Sequence, residues 1–280
     1  MNAKIDFTIV TPSYNYHQYI REMLESVVAQ EGVTFEHLIY DAGSTDGTLD
    51  IIREYEHVSL VVEKDKGMSD AINKGFKAAK GKWVMWLNTD DRLKLGALKA
   101  VKQFAESQAQ ADVIYGAWDF IDGDGIFQRT MGVFPFQKLM IAHYGCYIGS
   151  TATFFRRKTV MDEKLWLNDR FECVMDGEYY NRLASLGKKF VYIPKVLADF
   201  RMHGENISQK HLGEDGVDSL LDLQLQYAES GAIRRAYGIN LFKCENLNRV
   251  VDSVLAYWFR CLKWPLKKMN QPTVVDESRP

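Results

Sequence analysis

Lys82-Trp83-Val84-Met85-Trp86-Leu87 runs directly into Asn88-Thr89-Asp90-Asp91. A nearly all-apolar run of this length reads as a strand buried on both faces, as in a sheet covered by helices. Two adjacent carboxylates at its carboxyl end stand where open α/β sheets bind their ligands. Neighbouring buried like charges are costly without a counter-charge, and a divalent cation bridging phosphates is the simplest one. The plainer reading is a solvated turn, with Asp90 or Asp91 capping a helix that starts near Lys94.

The elements around this junction favour the first reading. A strand begins at Phe7–Val10 and stops at Thr11-Pro12-Ser13, and a helix follows over about His17–Gln30 with Ile20, Leu24, Val27 and Val28 on one face. Phe35–Tyr40 is a second strand, Thr48–Tyr55 a helix, Ser59–Val62 a third strand and Met68–Lys80 a helix ended by Gly81. Strand and helix therefore alternate four times, which predicts a parallel sheet with helices on both faces. Further on, Val113–Trp118 reads as a strand, Asp122-Gly123-Asp124-Gly125 as a hairpin turn, Asp176–Leu186 as a helix ended by Gly187 and Phe190–Ile193 as a strand. From about Gly213 the pattern is helical. This divides the chain into a domain over 1–212 and a helical extension over 213–280.

Composition narrows the function classes. The 280 residues are 46% hydrophobic and 12% aromatic, enough for a sizeable core. A net charge of −2 gives no reason to expect nucleic acid as a partner. Cys146, Cys173, Cys244 and Cys261 form no CxxC pair, which fits a reducing compartment. Met1–Phe7 does not read as a signal peptide, and no apolar stretch approaches the roughly 18–20 residues needed to cross a bilayer. A cytoplasmic protein is expected. The segment from Glu229 to Met269 carries eight basic residues against three acidic ones, with Trp258 and Trp264 among them. That pattern suits contact with the inner face of a membrane or a homo-oligomer interface, and equally a helix packed on its own domain.

Loops at the ends of successive strands converge on one edge of such a sheet. They bring together Thr11-Pro12-Ser13, the Asp41 loop, Lys64-Asp65-Lys66-Gly67 and Asp90-Asp91. Neither a GxGxxG turn after the first strand nor a GxxxxGK[ST] loop is present, which disfavours nicotinamide dehydrogenases and P-loop kinases.

Four segments, Thr8–Asn15, Asp41–Thr48, Asp65–Gly75 and Leu87–Asp91, resemble in order and spacing the inverting family-2 glycosyltransferases. A weaker likeness continues through Thr153–Arg157, Asp176–Leu183 and Arg201–Ser208. The resemblance implies the GT-A fold, a UDP-sugar or related donor and a glycan or lipid-linked acceptor, in surface polysaccharide or lipopolysaccharide synthesis. It implies that Asp41 binds the donor base with Thr11 and Pro12 beside it. Asp70, Asn73, Lys74 and Asp90 contact the donor, Asp90 near ribose and diphosphate. Asp91 holds Mn²⁺ or Mg²⁺, since Asn88 stands where many relatives have aspartate. Arg201 belongs to a loop closing over the diphosphate, and His203 approaches the metal. In Asp176-Gly177-Glu178-Tyr179-Tyr180-Asn181-Arg182 the resemblance makes Asp176 the base that deprotonates the acceptor, with Glu178 as the fallback. A helix N-cap is the plainer reading of Asp176. Trp118 and Asp119 are expected near the acceptor, and Trp83 and Trp86 in the core. The alternatives are a sugar-phosphate nucleotidyltransferase, which would need a basic glycine-rich loop in place of Thr11–Asn15, and a catalytically silent scaffold.

Overall fold

The Trp83–Trp86 run is the strand β4 of a nine-stranded sheet, and all four of its residues are buried. The structure, a computed structural model, describes residues 5–143, 146–171, 174–204 and 206. The helical extension over 213–280, its membrane or oligomer contacts and Ser208 therefore lie outside the described residues.

The first half alternates as its periodicity predicts. It runs β1 (Phe7–Ser13), α1 (His17–Val28), β2 (Phe35–Asp41), α2 (Thr48–Arg53), β3 (Val58–Val62), α3 (Met68–Ala78) and β4. β1 pairs in parallel with both β2 and β4, and β2 pairs in parallel with β3. All seven residues of β1 are buried, because helices cover the sheet on either side. Two glycines permit that closeness. A Cβ on Gly75 in α3 would stand 2.2 Å from a Val10 methyl, and one on Gly81 would stand 2.4 Å from the β1 backbone at Phe7 and Thr8. Gly81 therefore serves the approach to β1, and α3 ends earlier, at Ala78.

The second half departs from the purely parallel expectation. It contains β5 (Arg92–Leu93), α4 (Ala97–Ser107), β6 (Val113–Asp122), β7 (Phe127–Met131), α5 (Lys138–His143), a 3₁₀ turn (Ser150–Ala152), β8 (Thr153–Arg156), α6 (Arg157–Asp162), α7 (Met175–Ser185) and β9 (Phe190–Met202). The strand order is β3-β2-β1-β4-β8-β6-β9-β5, with β7 paired to β6. β8 runs antiparallel to both β4 and β6, so the sheet is mixed. β9 pairs with β6 from Val113↔Phe190 to Asp122↔Met202, and its thirteen residues carry the chain through Arg201 as strand, not loop. The core is continuous across both halves, with Trp86 stacked on Phe155 at 5.4 Å.

Helix α4 starts at Ala97 behind Gly96, and β5 intervenes after Asp91. Neither Asp90 nor Asp91 caps it, which removes the plainer reading of that pair.

One polar group lies in the floor of the parallel half. His37 on β2 is fully buried, hydrogen-bonded at 2.9 Å to the Thr11 hydroxyl, and its ring lies beside His57. Burial holds its pKa down to about 3, and the charge of His57 adds to this. The unfolded chain takes up a proton near pH 6.5 that the folded chain refuses. Stability conferred by neutral His37 is therefore present above about pH 6.5 and lost as pH falls toward 3. Unfolding midpoints measured from pH 7 to pH 4 should decline, and His37→Gln should flatten part of that decline.

Candidate active site

The carboxyl ends of β1, β2, β3 and β4 share one edge of the sheet, and the loops that leave them are knitted together by their own side chains. Asp41 closes β2, fully buried, and accepts four hydrogen bonds. Oδ1 takes the N–H groups of Gly43 (2.9 Å) and Ser44 (2.7 Å), while Oδ2 takes the hydroxyls of Ser13 and Ser44, each at 2.7 Å. A carboxylate offers about four acceptor positions, and each is engaged here by the loop itself. These bonds make Asp41 an organiser of the loop. Asp46 and Asn15 extend the same lacing, accepting from His17 N–H and Thr45 N–H respectively. Thr11 and Pro12 are buried within β1, and Thr11 faces His37 and not a cleft.

Asn73 shows a similar change of role. Its amide donates to the Leu167 carbonyl at 2.9 Å and accepts the Leu167 N–H at 2.8 Å, clamping the segment before α7. Asp70 and Lys74 remain at the partly exposed rim. Lys74 lies 2.9 Å from Glu63 and 3.4 Å from Asp70, and the Glu63 contact raises the pKa of its ammonium.

After β4 the two aspartates point to different neighbours. Asp90 Oδ2 faces His203 Nε2 at 3.0 Å and accepts from Asn206 Nδ2 at 3.2 Å. Asp91, 1% exposed, accepts the Arg201 N–H on Oδ1 and the Asn88 amide on Oδ2. Burial pushes the Asp91 carboxyl well above its ordinary range, and the Asp90 charge pushes it further. His203, packed 4.7 Å from the Tyr19 ring, therefore meets Asp90 and not Asp91.

Arg201 is fully buried and its guanidinium faces protein on every side. Nε donates to the Asp90 carbonyl (2.9 Å), Nη1 to the Gly123 carbonyl (3.0 Å) and Nη2 to Glu22 (2.6 Å). The Tyr19 ring covers it at 4.7 Å. It is thus a strut joining α1, the β4 loop and the β6–β7 turn. Glu22, which also takes Arg92 at 2.9 Å, is a site-building residue that sequence reasoning missed. Nothing in an exposed helix position marks it.

The start of α7 reaches the same edge, because Met175 meets Ser69 at the start of α3 with 3.1 Å between Sδ and Oγ. Val174 occupies the N-cap position, so Asp176 is a helical residue and not the cap. Burial raises the Asp176 pKa, opposed by the Gly177 N–H that it accepts at 2.7 Å and by the Cys146 thiol. Glu178, two residues on, is fully buried and held by Arg182 through bonds of 2.8 Å and 3.1 Å. Asp119 is likewise occupied, by Thr130 and Lys94, and Trp118 is buried over Gly149. Neither is presented to an acceptor.

Among the described residues, no three His, Cys, Asp or Glu side chains gather into a ready-made metal cage. The Asp90 carboxylate and the His203 imidazole make a partial donor set. The uncompensated Asp91 behind them favours positive charge, and a hard cation would need further oxygens from a ligand.

Because Arg201 is built into the core, Arg201→Ala and Arg201→Lys should both destabilise the fold. A lysine cannot reproduce a planar fork; breaking such a buried pair costs about 3–5 kcal/mol. Calorimetric unfolding checks this. Unchanged unfolding together with lost nucleotide binding would return Arg201 to a ligand role.

The fold has close counterparts among solved structures. S. aureus TarS 1-349 in complex with UDP-GlcNAc matches 89% of this chain and 79% of that one, with a TM-score of 0.62 at 19% identity. The mannosyltransferase PcManGT from Pyrobaculum calidifontis, in complex with GDP-Man and Mn²⁺, matches 91% of this chain and 70% of that one, with a TM-score of 0.59 at 16% identity. At these identities the likeness speaks for the fold, which is the expected GT-A arrangement. The putative teichuronic acid biosynthesis glycosyltransferase TuaG of Bacillus subtilis (strain 168) is 35% identical over 37% of this chain and 43% of its own length. A PGL/p-HBAD biosynthesis glycosyltransferase of Mycobacterium bovis is 32% identical over 54% of this chain and 59% of its own. The matched part thus spans about half of these curated relatives. The family model for glycosyl transferase family 2 matches residues 8–165, more than half of the chain, and its span takes in β1 through β8 with both aspartates of the opening junction, so the chain belongs to glycosyl transferase family 2.

Proposed function

We propose that this protein transfers a sugar, with inversion, from a nucleoside-diphosphate donor to a hydroxyl of a glycan or lipid-linked acceptor in polysaccharide assembly. One observation carries the reading. Of the two acids expected as the base, Asp176 is the one without a cationic partner among the described residues, half-buried at the sheet edge that also carries Asp90 and His203. The relatives' names, teichuronic acid and PGL/p-HBAD biosynthesis, support glycan or glycolipid assembly. UDP-GlcNAc and GDP-Man in the structural neighbours support the donor class, and UDP is the donor we favour.

In this mechanism the acceptor hydroxyl attacks the anomeric carbon as the bond to the diphosphate breaks on the opposite face. Asp176 takes the hydroxyl proton during attack. A raised pKa strengthens it as a base, and burial offsets the lowering that a helix start imposes. Asp90 and His203 would hold a divalent cation, which supplies positive charge for the departing diphosphate. Mn²⁺ in PcManGT supports manganese over magnesium. Asp91 sits behind them as the anchor of Arg201. Asp70 and Lys74 flank the donor at the rim. No helix among the described residues is long and apolar enough to cross a membrane. We place the protein in the cytoplasm, at the inner membrane face when the acceptor is lipid-linked.

A thermal-shift screen of UDP-GlcNAc, GDP-Man and related donors, with and without Mn²⁺, tests the donor assignment. A stabilising shift with a nucleotide sugar supports it, and none with any donor removes it. Asp176→Asn should lower transfer by about 10²–10⁴-fold while donor affinity stays unchanged. A carboxyl with a raised folded pKa favours folding at low pH and loses that advantage as pH rises from about 3.9 through the folded value. Asp176→Asn should therefore unfold at a higher temperature than wild type at pH 7, with the difference fading toward pH 4. Retained turnover in this variant removes Asp176 as the base.

A further inference from the structure

Cys146 and Asp176 meet at Gly177, in the first turn of α7. The Asp176 carboxyl folds onto this glycine, Oδ1 accepting its N–H at 2.7 Å. Cys146 packs on the same residue, since a Cβ at Gly177 would stand 3.8 Å from the Cys146 Cβ. The thiol hydrogen has two acceptors in reach. One is the Asp176 carboxylate, and the other is the Ile148 carbonyl, 3.2 Å from Sγ. Cys146 is exposed and Asp176 half-buried, so the pair opens onto solvent at the sheet edge. Tyr180 lies one turn along α7, and a helical aromatic ring points back over the preceding turn, here toward Asp176. Its hydroxyl is fully buried and without a hydrogen-bond partner, so this corner has a donor to spare for a small hydroxyl-bearing guest.

We infer that Cys146 is the positioning residue of the base: its S–H donates to Asp176 while that carboxylate is ionised, and turns to the Ile148 carbonyl once Asp176 has taken the acceptor's proton. This deepens the proposed function and rests on Asp176 as the base. The sulfur keeps its hydrogen throughout; the proton that moves passes from the acceptor hydroxyl to the carboxylate. The part requires a neutral thiol, and the surroundings keep it neutral. Burial pushes the Cys146 thiol well above its ordinary range, and the Asp176 charge pushes it further. In return the thiol opposes the rise that burial imposes on Asp176, as coupling between two sites is mutual. A cation beside Asp176 would hold it ionised and weaken it as a base, whereas a neutral donor does so less. The other titratable groups around it, among the described residues, are neutral or turned elsewhere. Tyr180 faces Asp176 as a phenol whose ionisation burial and the Asp176 charge oppose. On α7 Glu178 pairs with Arg182, on α3 Asp70 pairs with Lys74, and on α5 Lys138 is exposed.

Because the coupling is mutual, the thiol reports on the carboxylate without any substrate. Alkylation of Cys146 by iodoacetamide in the full chain, read on its peptide by mass spectrometry, should be slow at about pH 8. Asp176→Asn should speed it by about tenfold as the charge is removed. Asp176→Ala should do likewise, which guards against one variant failing to fold. An equal rate in wild type and both variants overturns the inference. Transfer, followed as nucleotide release from the donor found by thermal shift, adds a pH profile. Activity should fall on the acid side as Asp176 becomes protonated. Cys146→Ala should move that fall to higher pH, and Cys146→Ser, which restores a donor, should bring it back. A Cys146→Ala profile that is lowered but not displaced makes the cysteine structural and overturns the inference. The two readings part at Asp176→Asn. Lost transfer with an unmoved thiol removes Cys146 and keeps the base, whereas retained transfer with a faster thiol removes the base and leaves only the contact.

Discussion

A buried arginine needs an acceptor for each face of its guanidinium, and in this protein Arg201 finds them on three separate parts of the chain. The Asp90 carbonyl, the Gly123 carbonyl and the Glu22 carboxylate are far apart in sequence, and Arg92, which reaches Glu22, the Gly125 carbonyl and Asp199, reinforces their meeting. Stranding that cation in the core without partners would cost several kcal/mol. The fold therefore has one low-energy way to seat the end of β9 against α1 and the β4 loop. That seating presents Asp90 to His203 and turns Asp91 inward to receive the Arg201 N–H. The aspartate pair at the end of β4 is divided by the arginine between them, one carboxylate toward the open edge and one into the scaffold.

The periodic part of the fold was legible because periodicity reports burial directly. Four apolar runs separated by helical patterns place β1 to β4 within a residue or two, and the carboxyl-end rule places the aspartates. The second half was not legible as a parallel sheet, since β8 is four residues long and its direction depends on the chain returning from the α5 region. Site roles were legible only as residue types. Asp41, Asn73, Arg201 and Asp119 carry groups that suit a nucleotide sugar, and each is engaged by protein partners. A sequence motif records that a polar group is needed at a position. It does not record whether that group faces a ligand or the loop that frames one.

Engaged polar groups of this kind still bear on catalysis. The four bonds to Asp41 and the double clamp of Asn73 on Leu167 fix loops that a flexible edge could not hold to within the tolerances of group transfer. Rigidity of that edge thus comes from acids and amides bonded to their own loops. The partly exposed Asp70 and Lys74 are left to adapt to what binds.

Asp176 and Glu178 show how neighbours, and not residue type, assign chemistry within one helical turn. Both are acids near the start of α7, where the helix dipole lowers a carboxyl pKa. Glu178 is fully buried, and Arg182 lies against both of its oxygens. Asp176 has no cation beside it among the described residues; it accepts the Gly177 N–H and meets the Cys146 thiol, and burial dominates. Since burial disfavours the ion at Asp176, proton uptake there relieves the folded state, and the proposed role of base rests on that difference from Glu178, whose two oxygens are held by Arg182.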